Sequence, residues 1–137
     1  MTLLSILICT VIERHKQFKV LRDELLRQIG DLPVELLFEM DNKQISVGAK
    51  RQKLLNRASG DYIVFMDDDD FPELHYVSEM VKALASKPDC LGYLIKMTTN
   101  GEREQMCCHS LRYPEWKENV DGYDYVRNVT HFNAVGS

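Results

Sequence analysis

The sequence predicts an α/β domain, a three-layer α/β/α arrangement around a mostly parallel central sheet. Three observations carry this. The first half alternates apolar runs of strand length with amphipathic runs of helical period. Its opening run, Leu3 to Cys9, is almost unbroken in apolar character, as in a strand covered on both faces. Polar or acidic residues follow each predicted strand directly, on the edge where open α/β sheets bind their ligands.

The elements follow in order. After the first strand, Phe18, Leu21, Leu25, Leu26 and Ile29 recur at helical spacing, and Gly30 is a stop signal. Pro33 precedes a second strand, Val34 to Phe38, which leads into Asp41 and Asn42. Ser46 is placed to cap a second helix containing Val47, Leu54, Leu55 and Ala58, ended by Ser59 and Gly60. Tyr62 to Met66 reads as the third strand. Pro72 to about Ala85 reads as a third helix, with Leu74, Val77, Val81 and Leu84 on one face. Cys90 to Thr98 reads as one further strand, and Asn100-Gly101 is a hairpin signal leading into Glu102 to His109. Beyond His109 the periodicity thins, with Tyr113, Trp116, Tyr123, Tyr125 and Phe132 supplying aromatic mass.

Composition narrows the function classes. The chain has 137 residues, 45% hydrophobic and 28% charged, in keeping with one globular domain. A net charge of -4 argues against nucleic-acid binding by phosphate neutralisation, though not against a nucleotide. No apolar stretch approaches the roughly 20 residues that span a bilayer, and Leu3 to Cys9 lacks the flanks of a secretion signal, so the expectation is a cytoplasmic protein. Cys9, Cys90, Cys107 and Cys108 have no paired metal-ligand spacing and are expected as buried reduced thiols; a zinc site that also uses His109 is the alternative.

The most specific chemistry lies at Asp67 to Asp70, where four carboxylates end an apolar strand. Such a run repels itself unless cations compensate it, and hard oxygen donors suit Mg²⁺ or Mn²⁺. A solvated loop with one aspartate capping the next helix is the alternative. Thr10 to Arg14, Asp41-Asn42 and the aspartates each follow a strand, so all should meet on one sheet edge, which favours a site. Lys50, Arg51 and Lys53 add positive charge near the start of the second helix, either toward phosphates or as an exposed basic face. There is no phosphate-binding Gly-x-x-x-x-Gly-Lys segment, no Gly-x-Gly-x-x-Gly after a strand and no Gly-x-Ser-x-Gly elbow.

Three segments together resemble the amino-terminal half of the family-two, GT-A-fold glycosyltransferases: Leu4 to Thr10, Val47 to Gln52, and above all Ala58 to Asp70. The last is similar to that family's "A-x-G-[DE]-Y-[IV]-x-F-[LM]-D-x-D-D" signature. The resemblance runs from Leu3 to about Leu84 and weakens beyond. It implies a metal-dependent transferase that moves a sugar from a nucleotide-diphosphate donor to an acceptor hydroxyl, with inversion. It further implies that Thr10, Glu13, Asp41, Arg51, Asp67 and Asp68 surround the donor, with Asp41 at the base and Arg51 as the basic residue of the second helix. Asp69 and Asp67 would ligate Mn²⁺ or Mg²⁺, with His131 of the Thr130-to-Asn133 segment completing the metal or phosphate site. Gln52 stands where many members have Asn.

The resemblance also implies what is short. Members continue past this length with a general base and acceptor-binding elements, so residues 1–137 are expected as one donor-binding domain lacking most of the acceptor region. Glu102, Glu104, Glu115, Glu118, Asp121 and Asp124 are candidate bases by type only. The alternatives to an enzyme are a catalytically silent nucleotide-sugar-binding module and an oligomeric interaction module built on the aromatic C-terminal segment.

Overall fold

Leu4–Val11 (β1) is the central strand of the first sheet, flanked in parallel by Val34–Asp41 (β2) on one side and Tyr62–Asp67 (β3) on the other. The computed structural model describes residues 1–99, 101–128 and 134–136. Both faces of β1 are covered: Leu4, Ile6 and Ile8 enter the main core, while Leu7 is buried beside them on the alternate face. This double burial is the cause of the nearly unbroken apolar run.

Between the strands lie helices His15–Ile29 (α1) and Val47–Arg57 (α2), and Tyr76–Leu84 (α3) follows β3. Phe18, Leu21, Leu25 and Ile29 of α1 and Val77, Met80 and Leu84 of α3 share one cluster with Ile6, Val64 and Met66. Burying these apolar stripes supplies the main driving force for joining helix to sheet. Ser46 caps α2, its hydroxyl accepting the Ala49 N–H at 3.1 Å, and Gly30 ends α1 with a φ of 47°. No helix among the described residues is long and apolar enough to cross a membrane.

The glycine before β3 has a steric cause. A Cβ on Gly60 would lie 2.7 Å from the Ser5 backbone nitrogen, so the turn into β3 passes too close to β1 for any side chain. Gly60 N–H donates to the Ser5 hydroxyl at 2.9 Å, and that hydroxyl donates to Glu35 Oε1 at 2.6 Å. The Ser59 N–H also donates to Glu35 Oε1, so β1, β2 and the turn into β3 share one polar junction.

The structure corrects three expected elements. The third helix does not start at Pro72; it begins at Tyr76, and Gln28 of α1 closes its first turn by accepting the Val77 N–H at 3.0 Å and donating to the Glu73 carbonyl at 2.9 Å. The strand expected over Cys90 to Thr98 is two strands in different sheets, Cys90–Leu91 (β4) and Leu94–Thr99 (β5). The break falls at Gly92, where any Cβ would collide with the His109 carbonyl oxygen as Glu102–His109 (β6) passes over it. The thin region after His109 holds Lys117–Val120 (β7), Tyr123–Arg127 (β8) and Ala134–Gly136 (β9).

The first sheet has the order β2-β1-β3-β9-β4, with β9 antiparallel to both its neighbours. A second sheet has the order β5-β6-β8-β7, in which β5 and β6 form the expected antiparallel pair around Gly101. Asn100, the other half of that hairpin signal, lies outside the described residues. Of the four cysteines, all free, only Cys107 is buried, so the expectation of buried thiols holds for that one alone.

Candidate functional site

Strand β3 ends at Asp67, and the chain turns at once, with the Asp70 N–H donating to the Asp67 carbonyl at 3.1 Å. That turn sorts the four aspartates. Carboxylate oxygens of Asp67, Asp69 and Asp70 come within 4.8 Å of one another. Asp68 goes the other way, into the protein, where its two oxygens accept from Thr10 Oγ1 at 2.9 Å and Arg14 Nη1 at 2.8 Å. Four consecutive identical residues therefore hold two kinds of position.

The clustering has an electrostatic cost. Burial, together with the neighbouring charges of Asp67 and Asp69, pushes the Asp70 carboxyl up to about 6. Three hard oxygen donors at this spacing suit Mg²⁺ or Mn²⁺, and a divalent cation would relieve the repulsion.

A cavity of about 230 Å³ lies against Asp67, Asp68 and Asp69 and is further lined by Cys9, Arg14, Val47, Arg51 and Phe65. Side chains alternate across a strand, so Leu7, Cys9, Phe65 and Asp67 share one face, the face covered by α2. Arg51 of α2 lies over the Phe65 ring, 5.3 Å from its centroid, which fixes its guanidinium at the cavity. Burial pushes the Cys9 thiol up, against the opposing influence of Arg51 and Lys50. A second cavity, about 410 Å³, opens beside α3 among Leu74, Tyr76, Met80, Ala83 and Tyr93, and among the described residues no arginine or lysine lines it.

Thr10 lies inside β1 rather than in the loop beyond it, with its side chain buried. Asp41 is the last residue of β2 rather than part of the loop beyond it, and both of its oxygens are engaged. Oδ1 accepts from Lys50 Nζ at 2.5 Å and Oδ2 from the Ile45 N–H at 2.7 Å. Hydrogen bonding from Lys50 holds the Asp41 carboxyl below its ordinary value. Glu13 stands at the surface, ion-paired with Lys43 at 2.7 Å, and does not line the cavity. Of the basic trio, Lys50 is buried, Lys53 is exposed and Arg51 alone lines the cavity. His131 lies outside the described residues.

Two residues at the site have no specific role legible in the sequence. For Arg14 the one signal is its place just after the first strand. Asp70 belongs to the acidic run, but nothing local says that the turn folds it back onto Asp67.

The carboxyl ends of β1 and β3 thus gather a carboxylate cluster and an arginine-lined cavity, on the edge where open α/β sheets bind ligands; with the family match that follows, the α/β domain is of the GT-A class. The chain belongs to Glycosyl transferase family 2, which residues 20–134 match. Its structure is similar to the crystal structure of S. aureus TarS 1-349, with a TM-score of 0.59 at 15% sequence identity. That similarity covers 98% of this chain and 47% of the TarS chain, so the present chain spans about half the length of its structural relative. No curated protein matches the sequence.

Proposed function

We propose that this chain is the donor-binding domain of a glycosyltransferase, binding a nucleotide-diphosphate sugar at the carboxyl edge of β1 and β3. The observation that carries this reading is the convergence of Asp67, Asp69 and Asp70 beside a cavity that also holds Arg51. Asp67, Asp69 and Asp70 would hold Mn²⁺ or Mg²⁺, and the bound cation supplies charge stabilisation to a departing diphosphate. Arg51 meets phosphate charge from α2. Asp41, held by Lys50 and the Ile45 N–H at the end of β2, does not line the cavity itself and would accept from an N–H on the base or from a ribose hydroxyl of a donor reaching past it. Thr10 supports the site through Asp68. Membership of the family supports sugar transfer as the reaction; attack by an acceptor hydroxyl, with inversion, completes the proposal.

A second reading, donor binding without turnover by this chain alone, is favoured by the positions of the candidate bases. Inverting transfer needs a base within hydrogen-bond reach of the acceptor hydroxyl. Among the described residues, the carboxylates lining the cavity are Asp67, Asp68 and Asp69. Candidates from the second-sheet region are engaged there: Asp121 accepts from Tyr113 and Arg112, Asp124 from the Met106 N–H, and Glu115 pairs with Lys117 and Glu104 with Lys96.

Calorimetric titration with UDP, GDP, CDP and dTDP, with and without Mn²⁺, tests both readings on the wild type and Asp69→Ala. Metal-dependent binding of one diphosphate, lost in Asp69→Ala, is the expected result. Sugar release or transfer from the matching nucleotide sugar separates the enzyme from the silent module. No binding of any diphosphate overturns the donor site.

A further inference from the structure

We infer that Arg14 is a second cationic contact for the donor diphosphate, and that buried Asp68 is the residue that positions it. This rests on the donor-site reading above. Arg14 ends the single 3-10 turn Ile12–Arg14 between β1 and α1, and it lines the same cavity as Arg51. Its Nη1 donates to Asp68 Oδ1 at 2.8 Å, yet the Arg14 side chain is 51% exposed while that of Asp68 is only 6% exposed. One end of the pair is thus fixed in the protein and the other is open to the cavity.

A guanidinium carries five N–H donors in a rigid planar fork. Among the described residues only Asp68 accepts from Arg14, so donors remain for a phosphate. Asp68 in turn is held by Thr10 on its second oxygen, which fixes the direction of the pair. This explains why one aspartate of the run is turned inward: three carboxylates are left for a cation and the fourth aims an arginine. Arg14 and Arg51 come from different elements, so a diphosphate in the cavity meets a planar cation from each, a geometry suited to phosphate oxygens.

Arg14→Gln, Arg14→Lys and Asp68→Asn test the assignment. Each is titrated with Mn²⁺ alone and with UDP, GDP, CDP and dTDP at saturating Mn²⁺. Loss of a charge-assisted contact in Arg14→Gln should weaken the diphosphate that the wild type binds by about ten-fold or more. Mn²⁺ alone should bind equally or more tightly, because a cation beside the carboxylates has gone. Arg14→Lys should retain more diphosphate affinity than Arg14→Gln. Asp68→Asn should lose less than Arg14→Gln, and the double variant no more than Arg14→Gln itself. Wild-type diphosphate affinity in Arg14→Gln overturns the assignment, as does a parallel fall in Mn²⁺ and diphosphate binding, which marks a merely structural residue. A wild type that binds no diphosphate brings down the donor site and this inference together.

Discussion

Lys50 Nζ lies 2.5 Å from Asp41 Oδ1 and 3.0 Å from the Thr10 carbonyl oxygen, so one buried ammonium joins the ends of β1 and β2 to α2. The basic trio of α2 therefore divides by direction: Lys50 braces the sheet edge from within, and Arg51 faces the cavity.

Lys50→Met should unfold at a clearly lower urea concentration than the wild type, because Asp41 loses the cation that compensates it. Lys53→Met, at an exposed position, is the control and should change little. The acid limb should change as well. With Lys50 present, the lowered Asp41 pKa contributes stability above the ordinary carboxylate range, lost as pH falls through the lowered folded value. In Lys50→Met that contribution disappears, and urea midpoints from about pH 7 down to about pH 3 should fall less steeply.

Asp70→Asn should stabilise the protein in the absence of divalent cations at neutral pH. The folded-state pKa of Asp70, about 6, lies above its ordinary value, so folding becomes less favourable as pH rises from the ordinary carboxylate range through about 6. Removing the charge should recover roughly 1 kcal/mol at pH 7, after discounting for solvent screening. The gain should vanish below the ordinary carboxylate range, where Asp70 is protonated in both states. Thermal unfolding with a chelator present measures this. Adding Mn²⁺ should then stabilise the wild type more than Asp70→Asn.

Two glycines should respond oppositely to alanine. Gly60→Ala forces a Cβ against the Ser5 backbone and should cost about 1–3 kcal/mol. Gly48, in the first turn of α2, has open space where a Cβ would stand, and Gly48→Ala should stabilise by about 0.5 kcal/mol. Urea unfolding of the pair decides it, and equal effects would contradict the packing of the turn before β3.

Gln28→Ala removes the group that closes the first turn of α3 and should cost about 1 kcal/mol, within the range of a lost helix cap. Gln28→Glu keeps an acceptor for the Val77 N–H but loses the donor to the Glu73 carbonyl, so its denaturation midpoint should fall between those of Gln28→Ala and the wild type.

What the sequence by itself determined is what depends on neighbours along the chain. The run from Leu4 to Ile8 announced a strand buried on both faces, the spacing of Phe18, Leu21, Leu25 and Ile29 announced α1, and Ser46 announced the start of α2. The carboxyl-edge position of Asp67 to Asp70 followed from strand order, and the ordered signature around them named the family. Tertiary structure decided what depends on distant partners. Gln28, 49 positions before Val77, sets where α3 begins, and the passage of His109 over Gly92 splits one apolar run between two sheets. Asp68 and Asp69 are identical in chemistry, yet Thr10 and Arg14, 58 and 54 positions from Asp68, turn it inward, while Asp69 joins the outward cluster. Local propensity is written in each residue and its near neighbours. The direction of a charge depends on which opposite charge the folded chain brings within reach, and composition does not contain that distance.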